Sequence, residues 1–234
     1  MIEAVGLVVP AHDEEDLLPG CLAALRQAVR QAGPRPVHTL VVADACGDRT
    51  AQRARAGGAE VIEIHARRVG AARAAGFTAA LCLTRGTDPA KVWLATTDAD
   101  TRVPSHWLAR QISYAEADWD AVLGTVTVSD WSAHPAHAAD IFAAQYAHEA
   151  GSHRHVHGAN LGVRAAAYLA AGGFQALRTG EDHALVNALE AAGRPIVRGT
   201  DLTVETSARR QARAPHGFGH LLTTLTCPEV AEPH

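Results

Sequence analysis

The apolar residues of this chain fall into short runs separated by amphipathic stretches, and the alternation is regular through the first half. Val5 to Val9 is a nearly continuous run of β-branched character closed by Pro10, as expected of a strand buried on both faces of a parallel sheet. Behind it, Leu17, Leu18, Cys21, Leu22 and Leu25 share one side of a helix. The acids Asp13-Glu14-Glu15-Asp16 suit the positive end of that helix's dipole, and Gly33-Pro34 ends it. The unit then repeats, with a strand at 37–43, a helix at 48–56 capped by Asp48, a strand at 61–64 and a helix at about 69–83. A strand at 91–97 follows, then Pro104 at the first position of a helix carrying Trp107, Leu108, Gln111 and Ile112. Strand alternating with helix predicts an α/β fold with a mostly parallel, doubly wound sheet. Beyond it the pattern loosens into a smaller, irregular half: a strand at 121–128, helices at 136–150 and 179–192, and short strands at 195–197 and 202–206.

Composition narrows the picture further. A chain of 234 residues buries one sizeable core, so a single domain over 1–234 is expected. No run reaches the roughly 18 apolar residues that cross a bilayer, and the start runs into a strand without a signal-peptide pattern, so the expected location is cytoplasmic. Cys21, Cys46, Cys82 and Cys227 form no C-x-x-C pair, which argues against a disulfide framework or a structural zinc site and for reduced, mostly packed thiols. The net charge of -4 disfavours a nucleic-acid partner, and the one basic cluster, Arg209-Arg210-Gln211-Ala212-Arg213, is short.

In doubly wound sheets ligands gather at the carboxyl ends of strands, so the polar segments that follow strands are the functional candidates. They are Pro10-Ala11-His12-Asp13-Glu14-Glu15, Asp44-Ala45-Cys46-Gly47-Asp48 and Thr97-Asp98-Ala99-Asp100. Neither a G-x-G-x-x-G after the first strand nor a P-loop occurs, so nucleotide binding would rest on side chains. Asp98 and Asp100 are hard oxygen donors at a spacing that suits Mg²⁺ or Mn²⁺ held together with substrate phosphates. The other reading of that pair is a solvated turn in which Asp100 caps the helix near Pro104.

The strings Val8-Val-Pro-Ala-His-Asp-Glu-Glu15, Val41-Val-Ala-Asp-Ala-Cys-Gly-Asp-Arg-Thr50, Val69-Gly-Ala-Ala-Arg-Ala-Ala-Gly76, Asp98-Ala-Asp100, Gly158-Ala-Asn-Leu-Gly-Val-Arg164 and Gly180-Glu-Asp182 stand in the order seen in family 2 glycosyltransferases of the GT-A fold. The resemblance implies a nucleoside diphosphate sugar donor, UDP-type by preference, a divalent metal (Mn²⁺ or Mg²⁺), a hydroxyl acceptor and inversion at the anomeric carbon. It assigns nucleotide binding to about 1–120 and catalysis and acceptor choice to about 121–234. By it, Pro10, Ala11, His12 and Glu14 line the nucleoside pocket, Asp44 accepts a hydrogen bond from the base, and Arg73 sits near base or diphosphate. Asp98, Ala99 and Asp100 meet the diphosphate, with Asp100 and Asp98 as metal ligands. Asp13 departs from the Asn common in relatives. Without the resemblance, Asp44 reads as an Asx-turn residue and Arg73 as a helix-surface cation.

The same resemblance makes Asp182 the base and leaves Glu181 to orient the acceptor or a neighbouring loop; both also suit a helix N-terminus. Asn160 either offers its amide to the donor sugar or supports the fold. His153, His155 and His157 alternate, so a strand places them on one face, bordering an acceptor cleft or holding zinc. His216 or His220 could complete a metal shell in a loop that returns over the site with Arg209, Arg210 and Arg213. An apolar helix at 221–225 would touch the inner membrane face if the acceptor were lipid-linked rather than a small molecule. Two other functions fit less well: a nucleotidyltransferase, for which the Gly- and Lys-rich phosphate loop is missing, and a non-catalytic nucleotide-sugar-binding module.

Overall fold

The structure, a computed structural model, describes residues 1–128, 130–132, 134–135, 137–145 and 153–207. Its centre is a seven-stranded sheet formed by β1 (Ala4–Ala11), β2 (Val37–Asp44), β3 (Glu60–Ile64), β4 (Val92–Thr96), β5 (Ala121–Thr127), β6 (Leu161–Arg164) and β7 (Ile196–Glu205) in the order β3-β2-β1-β4-β6-β5-β7. The pairs β3-β2, β2-β1, β1-β4 and β5-β7 are parallel, and β6 runs antiparallel to both of its neighbours. The α/β, mostly parallel sheet expected from the alternation is therefore present.

Alternation along the strands sorts two cores onto the two faces. Val5, Leu7, Val9, Trp93 and Ala95 pack with α1 (Leu18–Gln31), α2 (Thr50–Ala56) and α4 (Trp107–Glu116). Ala4, Val8, Leu40, Val42 and Leu94 face α3 (Val69–Leu83), α6 (Ala165–Ala170) and α7 (Glu181–Ala191). A further helix, α5 (Ala138–Gln145), lies within the irregular half. Helix α3 seats closely because Gly76 has no side chain: a Cβ there would stand 2.3 Å from Val8 Cγ1.

Boundaries differ from the sequence reading in instructive places. Helix α1 begins at Leu18 with no acid in its first turn, so the acids at 13–16 do not serve its dipole. They tie two loops together instead: the Glu14 N–H donates to Thr50 Oγ1 at 2.7 Å, the Glu15 N–H to Asp48 Oδ2 at 3.0 Å, and Glu15 pairs with Arg49 at 2.8 Å. Asp48 does accept the Thr50 N–H at 2.9 Å, but as a turn ahead of α2. Helix α4 begins three residues after Pro104, and the two short C-terminal strands are one, β7, which slips register against β5 between Leu123 and Thr125. Strand β6 and helix α6 leave no mark in the alternation of apolar and polar positions. Of the thiols among the described residues, Cys21 is buried, Cys46 half-buried and Cys82 exposed, so of these three only Cys21 is fully packed.

Candidate active site

Strand direction decides what meets at the sheet's edge. The parallel strands β1, β2 and β4 deliver the segments at 12–17, 44–49 and 97–103 to one edge. Because β6 is antiparallel, pairing Leu161 with Thr96 brings the preceding turn, Gly158–Asn160, to the same edge. Strand β7 ends there too: the Arg102 and Glu205 backbones exchange hydrogen bonds at 2.7 and 3.0 Å, and the Thr206 hydroxyl approaches Asp100 Oδ1 at 3.5 Å. Asp100 is not a helix cap, since α4 has no side-chain cap. Its Oδ1 lies beside the hydroxyls of Thr101 and Thr206.

Arg73, on α3, is the hub of the site. It is 3% exposed, and its guanidinium donates to Asp98 Oδ1 at 2.5 Å and to Glu181 Oε1. A Cβ on Gly158 would stand 2.3 Å from that guanidinium, which is why the turn above it carries glycine. Arg73 therefore stands beside Asp98 with its charge held between two carboxylates. Glu181, 3% exposed and paired with Arg73, anchors the start of α7 to α3.

Asp98 keeps 37% of its side chain exposed at the rim of this pair. Desolvation by the surrounding protein pushes its carboxyl up to about 6, Arg73 opposes the rise, and Asp100, Glu181 and Asp182 add to it. A site where several carboxylates crowd together gains from a bound cation. The hard oxygen donors of Asp98 and Asp100 fit Mg²⁺ or Mn²⁺.

Asp182 lies in the first turn of α7, behind Gly180, whose φ of 75° redirects the chain. Its Oδ2 accepts the Gly158 N–H at 2.8 Å and its Oδ1 the His183 N–H at 2.8 Å, so the carboxylate is held against the turn beside Asp98's partner. Asn160 is fully buried: Oδ1 accepts the Trp107 indole N–H at 2.8 Å, and Nδ2 donates to Thr125 O and Leu202 O at 2.8 and 2.7 Å. Its amide supports the fold and does not serve a sugar.

On the nucleoside side, Asp44 is 4% exposed and accepts the backbone N–H groups of Ala66, Arg67 and Arg68 at 2.7 to 2.9 Å. It fixes the loop into α3, leaving acceptor capacity on Oδ2 alone. Pro10, Ala11, Glu14 and Ala99 are buried, while His12 is half-exposed and donates Nδ1–H to Asp44 O at 2.6 Å.

His153, His155 and His157 do share a face. Their rings stack in sequence at 5.8 Å, which does not converge them on an ion, and His153 Nε2 meets Leu123 O at 3.1 Å. Burial pushes the His157 imidazole down from 6.5 to about 3, against the pull of Asp182 and with the neighbouring histidines reinforcing the fall. The unfolded chain takes up that proton near pH 6.5 and the folded chain only near 3, so the stability due to neutral His157 is complete above the window and lost as pH falls through it. His157→Gln is expected to remove about one proton from the uptake on unfolding in that window, read from the pH slope of the unfolding free energy. An unchanged slope would refute this assignment.

Residues Arg209, Arg210, Arg213, His216 and His220, Cys227 and the helix expected at 221–225 lie outside the described residues. Among the described residues no helix is long and apolar enough to cross a membrane.

The mostly parallel sheet flanked by helices matches the GT-A fold of glycosyltransferases of known structure. The family model of glycosyl transferase family 2 matches residues 7–169, and the chain belongs to that family. No curated protein sequence matches it. Solved structures similar in fold include TarS of S. aureus, with a TM-score of 0.62 and 14% identity over 89% of this chain and 37% of that one. A mannosyltransferase from Pyrobaculum calidifontis gives 0.62 and 17% over 94% and 68%, and glucosyl-3-phosphoglycerate synthase from Mycobacterium tuberculosis 0.56 and 14% over 91% and 73%. The chain thus spans little more than a third of full TarS, and 61% of its 1–349 form.

Proposed function

We propose that this chain transfers a sugar from a nucleoside diphosphate donor to a hydroxyl acceptor, acting as one domain with donor recognition in about 1–120 and proton abstraction in about 121–234. The observation that carries it is the meeting, at one sheet edge, of the Asp98–Asp100 pair with Asp182, Arg73 bracing Asp98 on one side and Glu181, the residue before Asp182, on the other. Asp182 takes the acceptor's hydroxyl proton as its oxygen attacks the anomeric carbon and the bond to the diphosphate breaks, with inversion. Asp98 and Asp100 would hold Mn²⁺ or Mg²⁺, which would supply neutralisation of the charge on the leaving diphosphate.

The donor reading is supported by similar structures described in complex with UDP, with UDP-GlcNAc, and with GDP-Man and Mn²⁺. A UDP sugar is preferred on the family resemblance, Asp44 Oδ2 accepting from the base. The acceptor is a small molecule or a lipid-linked hydroxyl, met in the cytoplasm or at the inner membrane face.

Release of nucleoside diphosphate from a panel of UDP and GDP sugars with Mn²⁺ tests the reading. Asp100→Ala is expected to lower turnover by about 10²-fold or more, since ionic stabilisation of the leaving group is worth several kcal/mol. Full activity in that variant would overturn the reading, as would release of pyrophosphate from nucleoside triphosphates in place of sugar transfer.

A further inference from the structure

A second group of ligand atoms stands at the same edge, away from the Asp98–Asp100 pair. His12, Asp13 and Cys46 each place one imidazole nitrogen, carboxylate oxygen or sulfur within 4.8 Å of the other two, and this is the one such three-residue group of His, Cys and carboxylate ligands among the described residues. Asp13 and Cys46 have no part in the sugar-transfer chemistry above, and His12 stands at its nucleoside end. His12 and Asp13 follow β1 and Cys46 follows β2, so the group bridges two loops 33 residues apart.

We infer that His12, Asp13 and Cys46 form a binding site for a borderline transition-metal cation of the Zn²⁺ type. The donor set is imidazole, carboxylate and thiolate, which suits zinc and does not suit Mg²⁺ or Ca²⁺. Zinc bonds of about 2.0–2.3 Å set tetrahedral ligand atoms about 3.3–3.8 Å apart. His12 Nε2 and Asp13 Oδ2 stand at 3.7 Å, within that range, and one ligand atom from each of the three residues lies within 4.8 Å of the other two, so a small approach completes the set. Three protein ligands leave the fourth position to water.

Hydrogen bonds orient all three groups. Nδ1–H of His12 donates to Asp44 O at 2.6 Å, and because a carbonyl only accepts, the lone pair of the neutral ring is on Nε2, the nitrogen nearer Asp13. Asp13 Oδ1 accepts the Gly47 N–H at 2.7 Å, which turns Oδ2 toward His12. Cys46 Sγ accepts the Asp13 N–H at 3.4 Å and lies 3.5 Å from Ala11 O, to which its thiol donates. On metal binding the S–H bond breaks, its proton leaves to solvent, and an S–metal bond takes its place. Two non-glycine residues in these loops, Asp13 at φ 51° and Ala45 at φ 53°, hold the left-handed conformation. A bound ion would fasten the β1 loop to the β2 loop.

Co²⁺, which replaces Zn²⁺ and reports thiolate bonding by a charge-transfer absorption, is the probe. The wild-type chain is expected to bind one Co²⁺ with that band, displaced by Zn²⁺, and Asp98→Asn/Asp100→Asn is expected to keep it. Cys46→Ser is expected to abolish the band, and His12→Gln to weaken Zn²⁺ binding by at least about tenfold in calorimetry. A wild type without the band, or a Cys46→Ser protein that retains it, overturns the site. Should Cys46→Ser not fold, alkylation of the wild type decides: Zn²⁺ should slow modification of Cys46 and not of exposed Cys82, and equal rates at Cys46 with and without Zn²⁺ refute the site. None of these readouts depends on sugar transfer, so they fail or succeed independently of the proposed activity.

Discussion

Asp182→Asn is expected to lower turnover by about 10²- to 10⁴-fold with donor affinity nearly unchanged, the signature of a lost proton acceptor. The amide cannot take a proton from an acceptor hydroxyl, yet it has the same shape, and its carbonyl oxygen can still accept the Gly158 N–H that Asp182 Oδ2 accepts at 2.8 Å. The turn at 158–160 therefore stays in place above Arg73. Asp182→Ala separates the two roles, because it removes the proton acceptor and the turn contact together and should lower the melting temperature as well as turnover. Steady-state kcat and KM for a sugar donor, with UDP binding by calorimetry, are the measurements. A variant that keeps its turnover places the base elsewhere, and one that loses donor binding in step with turnover makes Asp182 a structural residue.

How much of this was legible beforehand depended on whether the deciding contacts were local. Strands β1, β2 and β4 are covered on both faces, so they read as apolar runs, and the polar segments after them were found at the edge where they were expected. Strand β6 has four residues and takes its place by pairing with Trp93 to Thr96 and with Ala121 to Leu123, far away in sequence, so no pattern within it marks a strand. The acids at 13–16 have the local character of a helix start, but tertiary bonds to Arg49 and Thr50 override it and Asp13 turns left-handed. Asn160 was open between sugar contact and support, and Trp107, 53 residues away, decides it. Cys46 belongs to no cysteine pair, so spacing argued against zinc; only the adjacency of β1 and β2 sets it beside His12 and Asp13. Side chains that chemistry selects were visible, and the partners that occupy them were not.

Arg73 is the clearest case, and its removal carries the largest expected cost in stability. Arg73→Met is expected to destabilise the fold by about 3–5 kcal/mol, the range for breaking a buried ion pair from one side. Glu181, 3% exposed, would be left charged and unpartnered at the start of α7, whereas Asp98, 37% exposed at the rim, can turn to water. The pair itself need not be a net gain, since Arg73 Nε is buried with no hydrogen-bond partner among the described residues. Arg73→Met combined with Glu181→Gln should therefore recover part of the loss, because the uncompensated charge goes with its partner. Urea unfolding of the wild type, both single variants and the double variant gives the coupling directly. A single-variant loss below about 1 kcal/mol would mean that water or a neighbouring group takes over from Arg73. A coupling near zero would separate α3 from the head of α7. In either case Asp98 and Glu181, the residue before Asp182, would not be braced by one guanidinium, and the geometry proposed for transfer would lose its support.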